Sequence, residues 1–203
     1  MEIGLKQKIG LVRYLPIVEA VERLLMKGEP ALIAVDGRCG SGKSTLAAFL
    51  AKVFDCNVFH MDDFFLPFEM KTRERMAQPG GNIHYERFRE EVLIPLQSRE
   101  TVSYRPYDCT IQSLTEPIFV ELKKLAIVEG VYAMHPILQQ DYDYSIFLTV
   151  DSQVQEERIL KRNGEAMYQR FVNQWIPLEE DYFSELNIKS KCDLVFDTTL
   201  LWE

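Results

Sequence analysis

Apolar positions along this chain follow two rhythms. Ile17, Val18, Val21, Leu24 and Leu25 recur at helical spacing, Pro16 suits a first turn and Gly28 a stop, which predicts a helix over 16–27. Ala31-Leu32-Ile33-Ala34-Val35 is a short unbroken apolar run, the pattern of a strand covered on both faces, and predicts a strand over 31–36. Leu46, Phe49 and Leu50 mark the inner face of a helix over about 43–53, and Val58-Phe59-His60-Met61 reads as a strand that stops at Asp62-Asp63. Between 66 and 82 the rhythm fails, and Pro67, Pro79, Gly80, Gly81 and Asn82 predict mobile or irregular chain. A helix over about 84–94 carries Phe88, Val92 and Leu93, and 101–107 and 117–121 look strand-like. Leu125-Ala126-Ile127-Val128 and Ser145 to Val150 read as central strands, 152–188 as charged helix, and Leu194-Val195-Phe196 as the last strand.

Between the first strand and the helix after it, Gly37-Arg38-Cys39-Gly40-Ser41-Gly42-Lys43-Ser44 fills G-x-x-x-x-G-K-[ST] at every fixed position. A glycine-rich turn there points backbone N–H groups inward at a polyphosphate, and the helix N-terminus adds its positive dipole end. Residues 37 to 45, from Gly37 through Thr45, are therefore the candidate nucleotide-binding set. Lys43 is expected to reach the β- and γ-phosphates and the Ser44 hydroxyl to take a Mg²⁺ position. ATP and Mg²⁺ are the cofactors this predicts. Strands alternating with helices around such a loop predict an α/β chain of the three-layer phosphate-loop (P-loop) NTPase type. Its mostly parallel sheet carries helices on both faces and a small lid at about 158–175. One domain is expected to span 1–203, with its core at 30–197.

Composition narrows the partners. With 203 residues, 47% of them apolar and 27% charged, the chain can bury a full core without staples. A net charge of −8 argues against general nucleic-acid binding, which needs a basic footprint. Cys39, Cys56, Cys109 and Cys192 are scattered without C-x-x-C spacing, and Cys39 reads as filler within the loop. No apolar run nears a membrane span, and Met1-Glu2-Ile3-Gly4-Leu5-Lys6 lacks a signal core, so a cytoplasmic location is expected. Self-association is left open.

Acidic residues at strand ends supply the candidate chemistry. Asp62 follows a strand neighbouring the loop, where a general base for an attacking hydroxyl belongs; Asp63 is expected to point away. Glu129 ends the 125–128 run, the place of an acid that orients Mg²⁺ and its waters. Arg158 and Arg162, four apart on one helix face, with Lys161 and Arg170 nearby, suit a lid that meets phosphoryl charge. His84, Tyr85, Arg87, Tyr104, Arg105, Tyr107 and Asp108 predict an aromatic, polar pocket for a small substrate. His60 and His135 read as structural.

These residues resemble a known family. The loop Gly37 to Ser44, the run His60-Met61-Asp62-Asp63-Phe64-Phe65, the segment Glu129-Gly130-Val131-Tyr132-Ala133, and Tyr104-Arg105-Pro106-Tyr107-Asp108 are similar to uridine kinase and its relatives phosphoribulokinase and bacterial pantothenate kinase, over residues 30 to 197. The resemblance implies that Asp62 is the base, that Phe65 and Tyr107 line the substrate site, and that Arg158 and Arg162 are lid arginines. Three departures stand out. Asn82-Ile83-His84 replaces a segment carrying a ribose-binding carboxylate, Gln112 falls where a base-contacting histidine would be, and the lid is short around Arg162-Asn163-Gly164. His84 either suits an anionic or less hydroxylated acceptor or simply starts the helix and faces solvent, and uridine and cytidine are expected to be poor substrates. The implied activity is phosphorylation of a small-molecule alcohol by ATP. A vitamin or sugar-phosphate acceptor and an ATP-switched binding protein without an acceptor remain the alternatives.

Overall fold

The computed structural model describes residues 12–202, so the amino-terminal hexapeptide lies outside it. Five parallel strands form the central sheet: β1 (Ala31–Gly37), β2 (Asn57–His60), β7 (Leu125–Glu129), β8 (Tyr144–Thr149) and β9 (Leu194–Asp197), in the order β2-β7-β1-β8-β9. Side chains alternate across the pleat. Ile33 and Val35 enter one core with Ile127, Ile146 and Leu148, while Leu32 and Ala34 enter another with Val128, Phe59 and Phe147. Both faces are thus buried, as an uninterrupted apolar strand requires.

Helix α1 (Leu15–Leu25) buries Ile17, Val18 and Val21 against the first core beside α2 (Lys43–Phe54), whose Leu46 and Leu50 are fully buried. Each such aliphatic contributes about 1.5–3 kcal/mol by leaving water. The opposite face is covered by α4 (Tyr85–Phe88) and later helices. Helix α4 runs on through a π turn, Arg89–Leu93, into α5 (Ile94–Ser98), so the helix expected over 84–94 is longer than its apolar pattern shows.

One expectation changes and another narrows. The strand-like segment 101–107 breaks at Arg105-Pro106 into β3 (Val102–Tyr104) and β4 (Tyr107–Asp108), which pair antiparallel with β6 (Ile118–Val120) and β5 (Ser113–Leu114) respectively. The stretch 66–82 is irregular as expected, with a 3₁₀ turn at Phe68–Met70 and a short helix α3 (Arg73–Met76), and it is pinned in place. Arg75 donates to the carbonyls of Gly81 and Ile83, forks onto Glu86 at 2.6 and 2.9 Å, and lies 3.9 Å over the Tyr85 ring. The ends of the stretch also meet, through Leu66 N–H to the Asn82 carbonyl and a bridge between Phe65 and Ile83.

The charged sequence after 152 divides into α6 (Ser152–Asn163), α7 (Glu165–Arg170), a π turn at Phe171–Trp175, α8 (Ile176–Glu185) and α9 (Ile188–Lys191). Gly164, at φ +76, separates α6 from α7. Among the described residues no helix is long and apolar enough to cross a membrane.

Candidate active site

Sheet register gathers the site. Val35 and His60 both lie opposite Glu129, so the carboxyl ends of β1, β2 and β7 meet where β1 turns into the glycine-rich loop. Gly37 is obligatory there: φ is +135, and a Cβ would sit 2.0 Å from the Leu148 carbonyl oxygen. Gly42 takes φ +92 as the residue capping α2, with no side-chain cap, and a Cβ on it would meet no atom within 4 Å. The first residues of α2, Lys43, Ser44 and Thr45, line a cavity over the loop with the helix dipole behind them, a setting that fits a phosphate. Lys43, only 8% exposed, donates from Nζ to the carbonyls of Gly37 at 2.7 Å and Arg38 at 3.0 Å.

Beneath the loop, Asp36 is fully buried and accepts from Gly37 N–H, Met134 N–H and the Tyr182 hydroxyl at 2.6, 2.9 and 2.8 Å. Burial raises its pKa, and those three bonds oppose the rise. They join β1, the chain after β7, and α8 at one carboxylate.

A cavity of about 590 Å³ opens over the loop. Cys39, Gly40, Gly42, Lys43, Ser44 and Thr45 form its floor, and Asp62, Phe65, Glu129 and Arg162 line its walls. Asp62 sits in a 3₁₀ turn, Met61–Phe64, that follows β2 directly. Burial raises the pKa of its carboxyl, while the Lys43 ammonium opposes that rise. Asp63 leaves the cavity and accepts from the Tyr104 hydroxyl at 3.1 Å. Arg87 braces the turn from behind by donating to the Asp63 carbonyl, and it lies 4.2 Å over the Phe64 ring.

Ser44 and Glu129 are hard oxygen donors on one cavity, the type that Mg²⁺ takes. Among the described residues no group of three or more His, Cys, Asp or Glu is arranged to hold a metal. A cation here would complete its shell with phosphate oxygens and water, as Mg²⁺ commonly does.

Several expected residues are elsewhere. Arg158 turns away from the cavity, because the carbonyls of Gly40 and Thr198 and the Thr198 hydroxyl capture its guanidinium at 2.7–3.2 Å. It ties the loop to the end of β9 and does not join Arg162. His84 precedes α4, its backbone N–H bonded to the Phe64 carbonyl and its Nδ1 buried, outside the cavity lining. His84 therefore offers no contact to an acceptor in this cavity, anionic or otherwise. Tyr107 is buried in the β4–β5 hairpin, and Gln112 sits exposed at its tip with φ +53. Neither lines the cavity. Tyr85 and Tyr104 are core rings, and Tyr85 stacks on His135 at 4.0 Å. Within the loop, Gly37, Arg38 and Ser41 shape the turn without lining the cavity; Arg38 pairs with Glu180 at 2.9 Å.

Other site residues lie outside the expectations drawn from the sequence. His60, read as structural, holds Glu129 through Nδ1 at 2.6 Å, and that hydrogen bond raises the imidazole's pKa. Met167, Phe171, Trp175 and Glu179 line one wall at steps of four. A four-residue step on an α-helix overshoots a full turn by about 40°, whereas the wider π turn undershoots it. The π turn at Phe171–Trp175 keeps the stripe on one face. Repeated four-residue spacing was visible in the sequence; the π turn was not. Asn82, Lys71, Cys109 and Tyr132, brought from separate loops, complete the cavity.

The parallel sheet, glycine-rich loop and strand-end acids define a P-loop kinase. The model of the phosphoribulokinase / uridine kinase family matches residues 32–170, and the chain belongs to that family. At the family's level it is a small-molecule kinase. A uridine kinase of Clostridium botulinum (strain 657 / Type Ba4) is 29% identical over 147 residues, covering 66% of this chain and 67% of that one. A solved structure described as a possible uridine kinase from Bacillus stearothermophilus superposes with a TM-score of 0.64 at 18% identity, covering 90% of this chain and 100% of that one, a likeness of fold.

Proposed function

We propose that the chain transfers the γ-phosphoryl group of ATP, with Mg²⁺, to a hydroxyl of a small metabolite. One observation carries the reading: a strand-end carboxylate, Asp62, and the loop lysine, Lys43, line the same cavity and act on each other electrostatically. The acceptor oxygen forms a bond to the γ-phosphorus as the bond to the β–γ bridging oxygen breaks, and ADP leaves with that electron pair. Asp62 takes the hydroxyl proton. Its raised pKa makes it a better proton acceptor than an aspartate of ordinary pKa. Lys43 and the loop amides hold the phosphates, and Arg162 presents a planar fork to transferred charge. Ser44 and Glu129 would hold Mg²⁺, which neutralises phosphate charge when bound.

Phe65, Phe171, Trp175 and Tyr132 give the acceptor side an aromatic wall, with Asn82 as a polar contact. This supports a small alcohol with one flat or apolar face. A panel of nucleosides, pantothenate-like alcohols and sugar phosphates, assayed for ADP release, tests the reading. Acceptor-stimulated turnover with one class is the expected result. ATP binding without stimulation by any of them would favour a nucleotide-switched binding protein.

A further inference from the structure

Glu179 stands where an incoming phosphate would be resisted. It is 6% exposed, lines the cavity, and its Oε2 accepts the Cys39 N–H at 2.9 Å. Cys39 belongs to the loop whose amides face the cavity, so a carboxylate already occupies one donor that an anion would seek. Burial raises the pKa of the Glu179 carboxyl and the Asp36 charge adds to the rise, while the Lys43 ammonium and the Cys39 N–H favour its ionised form.

Helix α8 holds the loop at two residues and the strand beneath it at a third. Glu179 takes the Cys39 amide, Glu180 pairs with Arg38, and the Tyr182 hydroxyl donates to Asp36. One turn before Glu179, Trp175 lines the same cavity. The loop and the aromatic wall are thus parts of one mechanical unit.

We propose that Glu179 is an internal anion that occupies the phosphate loop until nucleotide arrives, and that the nucleotide's phosphates displace it and shift Trp175 with it. The proposal rests on the nucleotide-binding reading above. Two like charges cannot share the loop at low cost, so ATP binding includes the cost of releasing Glu179, and apparent affinity falls accordingly. The displaced helix then resets the wall that faces the acceptor, which couples nucleotide loading to acceptor binding.

The test uses the full chain carrying Trp202→Phe, so that Trp175 is its one tryptophan, with Glu179 intact, Glu179→Gln or Glu179→Ala. ATP affinity is measured by calorimetry and Trp175 emission by titration. ATP should bind about three- to tenfold more tightly to both Glu179 variants. In the chain with Glu179 intact, ATP should shift Trp175 emission, and Glu179→Ala without nucleotide should already show part of that shift. Equal or weaker ATP binding by the variants overturns the proposal. So does an emission that ATP leaves unmoved, which would make Glu179 a fixed charge. Failure of every form to bind ATP would instead overturn the nucleotide reading itself, and this inference with it.

Discussion

The floor and the walls of this cavity are built in opposite ways. Its floor comes from one continuous segment, 39 to 45, fixed by backbone: glycine dihedrals, helix-terminal amides and a buried Asp36. Its walls come from residues as distant as Phe65, Asn82, Cys109, Tyr132 and Trp175, each carried by its own loop or helix. A floor made of main chain tolerates little change, because a new side chain cannot repair a blocked amide. Walls made of side chains can be exchanged one at a time. Chemistry common to many kinases is thus separated from the choice of acceptor.

The sharpest test of that separation lies where floor and wall meet. Asp62→Asn should lower kcat by about 10²–10⁴-fold with little effect on ATP affinity, since the amide keeps the size but cannot accept a proton. Asp63→Asn should leave kcat within a few-fold and instead lose about 1 kcal/mol of stability, through its bond to Tyr104. The acid limb of kcat/KM should fall above the ordinary aspartate value, because burial raises the Asp62 pKa and activity is lost as pH drops through it. If the two variants traded effects, Asp63 would be the base.

On the floor, Lys43→Met should reduce kcat by about 10²–10³-fold while circular dichroism and the melting curve stay near wild type. Comparable turnover would remove Lys43 from the phosphate site.

Wall scaffolding is expected to weaken in acid. Burial, reinforced by the Arg75 charge, pushes His135 down to about 4 from an ordinary 6.5. The unfolded chain then binds a proton that the folded chain refuses, so this group's stabilisation is present above 6.5 and is lost as pH falls towards 4. The loss attributable to His135 should be about 3 kcal/mol in urea unfolding, and His135→Phe should flatten the slope in that window. An unchanged slope would show that His135 is not held neutral.

The smallest effects should separate two arginines one turn apart. Arg162→Gln should lower kcat by about tenfold or more with little change in stability. Arg158→Gln should cost about 1.5–3 kcal/mol of stability through lost carbonyl contacts and change kcat less. Equal loss of kcat in both would return Arg158 to the lid.

The contrast between floor and walls also explains what the sequence reveals. Gly37 to Ser44 is a local code, since spacing alone dictates the turn, and the apolar runs at 31–35 and 125–128 announce buried parallel strands. Asp62 and Glu129 are legible because a strand's end is legible. Arg158 and Arg162 look equivalent by periodicity, and only the carbonyls of Thr198 and Gly40 distinguish them. Tyr85, Tyr104 and Tyr107 satisfy an aromatic count, yet the same rings also suit a core, and burial decides between the two. His60 gave no sign of its partner, because Glu129 is 69 residues away and meets it only through the pairing of β2 with β7.

The touching ends of the 66–82 stretch bear on how this scaffold diversifies. A loop whose ends are already joined, here by Phe65 with Ile83 and Leu66 with Asn82, changes length cheaply, at roughly 0.6 kcal/mol for each doubling. Insertions or deletions around Phe68 to Lys71 would redraw the cavity's rim without disturbing sheet register or the phosphate loop. Descendants of such a chain can therefore acquire new acceptors by changes confined to one short excursion, while inheriting the phosphoryl-transfer apparatus intact.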